Sequence, residues 1–137
     1  MKRHHILVVD DEPLNLEIIA EFLADEGYLL DLVASAERAW ERLEANASYD
    51  LAILDRMMPG MSGMDLLKKM KADSRFCAIP VIMQTAACHP QQIKEGFEAG
   101  VFYYLSKPFE LETLTAIINS ALADPAATRL EVIISTP

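Results

Sequence analysis

Five residues in this chain could do chemistry together: Asp10, Asp11, Asp55, Thr85 and Lys107. Adjacent aspartates repel each other unless a cation lies between them or they face open water. The stretch VVDDEP at 8–13 supplies no such cation. A hard divalent ion takes oxygen ligands, and Mg²⁺ is usually held by one or two carboxylates with water and substrate phosphate. The three carboxylates against one lysine leave a negative site that Mg²⁺ would bring close to neutral. A carboxylate is also a recognised nucleophile for forming an acyl phosphate. Lys107 and the metal would offset charge on the transferring oxygens, and the Thr85 hydroxyl could donate to one of them. Taken singly, each residue has a plainer reading: a solvated turn or helix cap for the aspartate pair, a loop residue for Asp55, a surface charge for Lys107 and an ordinary strand end for Thr85. Their joint occurrence carries the inference, and it depends on the elements that position them.

Short apolar runs alternate with amphipathic helical patterns. The strand patterns cover Ile6–Val9, Leu29–Val33, Leu51–Leu54, Pro80–Gln84 and Val101–Leu105. The first, third and fourth are nearly all apolar, as central parallel strands covered on both faces should be. A first helix starts at Pro13 and is expected to close at Gly27. Ser35 caps a second, which sets Ala36, Ala39, Trp40 and Leu43 on one face. Ser62, with Asp65 three residues on, resembles a capping box for a third, followed by Leu66, Leu67 and Met70. A fourth spans Pro90–Ala99 and ends at Gly100. A fifth, from Phe109 to Ala123, should bury Leu111, Leu114, Ile117, Ile118 and Leu122.

Five βα units with right-handed crossovers give an α/β fold: a doubly wound, five-stranded parallel sheet with five helices on its two faces, a three-layer sandwich. Ligands of such sheets bind beyond the carboxyl ends of the strands. Asp10 and Asp11 end the first strand, Asp55 the third and Thr85 the fourth, while Lys107 stands near the end of the fifth. All five converge on one edge, and Asp55, on the central strand, is the best nucleophile among them.

The length of 137 residues suits one domain with a real core, and 52% hydrophobic with 24% charged residues argues against disorder. A net charge of −9 disfavours binding to nucleic acid or an anionic membrane. No apolar run is long enough for a membrane span, and the N-terminus turns acidic too early for a signal peptide, so a cytoplasmic protein is expected. Cys77 and Cys88 lack metal or redox spacing and read as reduced thiols. The methionines Met57, Met58, Met61 and Met64 fit loop packing around Pro59 and Gly60 better than soft-metal ligation. Cys88 with His89, and His4 with His5, are weak metal signals.

The segments ILVVDDEP at 6–13, LAILDRMMPGMSGMDLL at 51–67, VIMQTAA at 81–87 and YYLSKPF at 103–109 resemble, in order, the motif blocks of the receiver domains of two-component response regulators. The resemblance covers roughly residues 4–123 and implies a flavodoxin-like, CheY-like fold with strand order 2-1-3-4-5. It implies Asp55 as the phosphorylated residue, with Asp11 and Asp55 binding Mg²⁺ directly, Asp10 through water and Met57 through its backbone carbonyl. It further implies that Thr85 and Lys107 contact the phosphoryl group, that Thr85 and Tyr104 form the switch, and that the Lys107–Pro108 bond is cis. On this reading the phosphoryl group comes from a sensor histidine kinase or a histidine phosphotransfer protein in a bacterial two-component system. A downstream partner reads the face made by the fourth helix, fifth strand and fifth helix, and a phosphorylation-dependent homodimer is one state it admits.

The first helix carries two apolar stripes, Leu16–Ile19–Leu23 and Leu14–Ile18–Phe22. A helix on a sheet needs only one, so the second stripe either widens the buried face or is left for docking. Leu14, Asn15 and Ile18 are the partner-docking candidates. An aspartyl-phosphate phosphatase is a weaker alternative, because Met57 stands where its second carboxylate should be. A nucleotide or flavin carrier would need phosphate-binding amides after the first strand, where DDEP stands instead. A constitutive interaction module is separable by testing for phosphorylation. The domain is thus expected to accept phosphate without being a turnover enzyme. Residues 124–137 read as a tail or truncated linker, with a β-prone run at Leu130–Ile134.

Overall fold

The structure, a computed structural model, describes residues 3–46, 48–86 and 89–123. Cys88 and the 124–137 tail, with its β-prone run, lie outside the described residues. Strands β1 (His5–Val9), β2 (Leu29–Val33), β3 (Leu51–Asp55), β4 (Val81–Thr85) and β5 (Tyr103–Ser106) alternate with helices α1 (Pro13–Leu23), α2 (Ala36–Ala45), α3 (Gly63–Lys71), α4 (Pro90–Ala99) and α5 (Leu111–Ala123). The strands form one parallel sheet in the order β2-β1-β3-β4-β5, as the resemblance implies.

Side chains alternate across the sheet, and each face has its own core. Leu7, Val9, Ala52, Leu54, Val81 and Met83 pack under α2 and α3 with Leu43, Leu67 and Phe76. Ile6, Val8, Leu51, Ile53 and Ile82 pack under α1 and α5 with Ile19, Leu23, Leu114 and Ile118. β3 and β4 are buried along their whole length, which explains their unbroken apolar runs. The edge strand β2 leaves Leu29 and Leu32 exposed, and its Asp31 bonds Arg42 and Tyr49.

The caps follow the sequence closely. Ser35 Oγ accepts the Arg38 N–H. Ser62 and Asp65 form both halves of a capping box. Gly100 ends α4 with φ of 108°, a left-handed position that favours glycine.

Several strand ends shift by one residue, and three boundaries depart from expectation by two or more. α1 ends at Leu23 and not at Gly27: the Ala24 and Glu26 amides turn back to Glu21 and Leu23, and Gly27, at φ of 81°, serves the turn into β2. β5 starts at Tyr103, although Val101 and Phe102 are buried and the Phe102 amide bonds Val81. α5 begins at Leu111 because the Glu110 carbonyl accepts the Leu114 amide. Phe109 meets Phe22 edge-on instead, Leu111 is exposed, and Ala121 joins Leu114 and Ile118 in the core, with Ile117 and Leu122 partly buried.

Candidate functional site

Parallel strands deliver their C-terminal residues to one rim, and the ends of two strands carry the three acidic residues. Asp10 follows β1, Asp11 follows Asp10, and Asp55 is the last residue of β3. Their oxygens come within 4.8 Å of one another, the one such cluster among the described residues. Asp10 and Asp55 are buried, whereas Asp11 opens to solvent.

Lys107 closes the arrangement. Its Nζ lies 3.2 Å from Asp10 Oδ2 and 3.5 Å from Asp55 Oδ1. The peptide bond to Pro108 is cis. The Lys107 amide donates to the Thr85 carbonyl at 2.8 Å, which ties the β5 loop to the end of β4. Thr85 itself is buried. Burial first, and the charge of Asp10 second, push the Asp55 carboxyl up to about 6, while Lys107 and the Met57 amide pull in the opposite direction.

The loop after β3 holds Asp55 from behind. An added Cβ at Gly63 would meet the Asp55 carbonyl oxygen at 2.1 Å, so only glycine lets the first turn of α3 close onto this strand end. The Gly63 amide donates to the Arg56 carbonyl, and Glu37 Oε2 accepts the Met61 amide at 3.0 Å. Met58 and Met64 are buried and Met61 packs against the same core, so these three serve packing. Met57 is 68% exposed beside Asp55.

Every donor in the cluster is a hard oxygen and the formal charge of three carboxylates and one ammonium is negative, so the residues fit a divalent cation such as Mg²⁺. A buried carboxylate carrying a raised pKa beside a paired lysine also marks a group poised for chemistry.

Tyr104 is 7% exposed, its ring already turned inward. Arg56 Nη1 donates to the tyrosine hydroxyl at 2.9 Å and Arg56 Nη2 reaches Glu95 of α4 at 3.3 Å. Gly96 of α4 makes room for the ring. Leu14 is 65% and Ile18 36% exposed, while Asn15 is half-buried and Phe22 packs inward. The second stripe of α1 is therefore split, with its first two members open beside the acidic rim.

Sequence reasoning missed Arg56, Glu95 and Gln84. The signal for Gln84 was present: a lone amide in the run VIMQT, on a strand that must be buried on both faces, needs a polar partner. Arg56 and Glu95 carried no comparable pattern, because their meeting depends on how α4 crosses the sheet.

Residues 6–119 match the family described as the response regulator receiver domain. The chain is 42% identical to the chemotaxis protein CheY1 of Helicobacter pylori over 112 residues, 80% of this chain and 89% of that one. It is 39% identical to the response regulator Rre1 of Synechocystis over 119 residues, 86% of this chain and 51% of that one. The chain thus spans about half the length of Rre1 and nearly all of CheY1. Among solved structures, a response regulator receiver domain protein from Clostridium thermocellum superposes with a TM-score of 0.82 at 30% identity, covering 89% of this chain and 96% of that one. Chemotaxis protein CheY4 of Vibrio cholerae does so at 0.81 and 28%, covering 87% and 98%.

Proposed function

Because this chain belongs to the response regulator receiver domain family, we propose that it is a phosphorylation-switched signalling domain whose acceptor is Asp55. The observation that carries this reading is the meeting of three carboxylates within 4.8 Å under a lysine that touches two of them. An oxygen of Asp55 forms a bond to phosphorus as the donor's bond to the same phosphorus breaks, leaving an acyl phosphate. Asp11, Asp55 and the Met57 carbonyl would hold Mg²⁺ directly and Asp10 through water, and the ion would supply positive charge against the charge developing on the phosphoryl oxygens. Lys107 adds a second positive charge, and the Thr85 hydroxyl donates to a phosphoryl oxygen.

The donor is a sensor histidine kinase or histidine phosphotransfer protein in the cytoplasm. It docks on Leu14, Asn15 and Ile18, of which Leu14 and Ile18 are exposed and Asn15 is half-buried. Output runs through Thr85 and Tyr104 to the face of α4, β5 and α5, where a downstream protein or a second copy of the chain binds. Residues 4–123 make up the receiver unit and 124–137 a tail. No helix among the described residues is long and apolar enough to cross a membrane. The domain accepts and loses phosphate without acting as a turnover enzyme.

Mg²⁺ titration by calorimetry tests the metal assignment. Asp11→Ala should weaken binding more than Asp10→Ala does, because Asp11 is the direct and more open ligand. Undiminished affinity in Asp11→Ala would contradict it.

A further inference from the structure

Gln84 has no part in the reading above, yet it reaches the centre of the site. It is fully buried on β4, in register with Asp55 on β3. Strand alternation places it with Ile82 on the sheet face that also carries Ile6, Val8 and Asp10. Its Nε2 donates to Asp10 Oδ2 at 3.2 Å. Its Oε1 is buried with no hydrogen-bond partner.

A buried carbonyl without a partner costs free energy, and an apolar side chain of the same length would avoid that cost. The amide is therefore a burden on the fold, set against its single bond to Asp10.

That bond bears on Lys107. Asp10 is fully buried; its Oδ1 takes the Glu12 amide at 2.9 Å, and its Oδ2 takes both Lys107 and Gln84. For Lys107 to turn to a phosphoryl group on Asp55, it must loosen its hold on Asp10. A buried carboxylate that loses its partner is strongly disfavoured, which would keep the lysine where it is. Gln84 is a neutral donor anchored in a central strand, and it stays on Asp10 Oδ2 when the ammonium leaves.

We propose that Gln84 is a positioning residue that holds Asp10 and frees Lys107 to move onto the phosphoryl group. This rests on Asp55 being the phosphoryl acceptor. The role separates from packing because stability and rate should move apart. Gln84→Met removes the unpartnered carbonyl, so the melting temperature should hold or rise. Labelling by acetyl phosphate at saturating Mg²⁺ should nevertheless slow by roughly tenfold, the equivalent of one hydrogen bond to a charged group.

An unchanged labelling rate in Gln84→Met, with labelled wild type alongside, overturns this role alone. Wild type that takes no label refutes the acceptor reading and this role with it. Should Gln84→Met not fold, the wild-type side-chain amide decides by NMR. Its hydrogens should exchange slowly, and their resonances should shift when Mg²⁺ and beryllofluoride bind. Rapid exchange without a shift overturns the proposal.

Discussion

Replacing Gly96 with alanine should set α4 against the tyrosine it shelters. An added Cβ would lie 2.7 Å from both Cδ2 and Cε2 of Tyr104, far inside ordinary contact. The ring must swing outward or the helix must shift. Overpacking of this kind costs about 1–3 kcal/mol. Alanine in place of a helical glycine offsets up to about 1 kcal/mol of that. The net expectation is a loss of about 1 kcal/mol, which lowers the melting temperature by about 4 °C in a domain of this size. Urea unfolding of Gly96→Ala, Tyr104→Ala and the double variant tests the cause directly. With the ring removed nothing remains to clash, so alanine at position 96 should stabilise by up to about 1 kcal/mol in that background. The sign of the substitution thus reverses with the partner. Outward displacement also breaks the bond from Arg56 to the tyrosine hydroxyl, so the α4 surface should change in Gly96→Ala without any phosphoryl group. Equal stabilisation by Gly96→Ala with and without Tyr104 would refute the reasoning.

At Gly63 the clash is with backbone, 2.1 Å from the Asp55 carbonyl oxygen, and backbone cannot rotate away. Gly63→Ala should therefore destabilise by more than about 3 kcal/mol in urea unfolding, and a loss below about 1 kcal/mol would contradict the close approach. The raised Asp55 carboxyl, at about 6, binds more protons folded than unfolded between roughly pH 4 and pH 6. Metal-free stability should accordingly fall as pH rises through that window, Asp55→Asn should flatten the fall, and Mg²⁺ should restore stability at neutral pH; a rise across the window would reverse the sign we assign. Ile18→Glu should impair phosphotransfer from a histidine-phosphorylated donor while labelling by a small phosphodonor persists, and loss of both would show that Ile18 serves the core.

Much of the fold was legible because it depends on local pattern. The apolar runs of β1, β3 and β4 could only be strands covered on both faces, and the rule placing ligands at their carboxyl ends then brought Asp10, Asp11 and Asp55 together. Ser35, Ser62 with Asp65, and Gly100 marked helix ends through their own chemistry. Gly27 misled because a glycine at φ of 81° can end a helix or turn a loop, and the sequence does not distinguish the two. Leu111 misled because its position fits the helical period, yet residues 111–113, the first turn of α5, are exposed and burial begins at Leu114. The contacts of Arg56 with Tyr104 and Glu95 join the residue after β3 to β5 and α4, elements distant in sequence, so no spacing announces them. The inward ring of Tyr104 likewise follows from the open space at Gly96, which only tertiary packing reveals.

Intact-mass measurement after incubation with acetyl phosphate tests the central claim most directly. With Mg²⁺, wild-type protein should gain one phosphoryl group, and it should gain none when the metal is chelated, because the acidic cluster then repels the donor. Asp55→Asn should gain none under either condition. Equal labelling of Asp55→Asn and wild type would contradict the account.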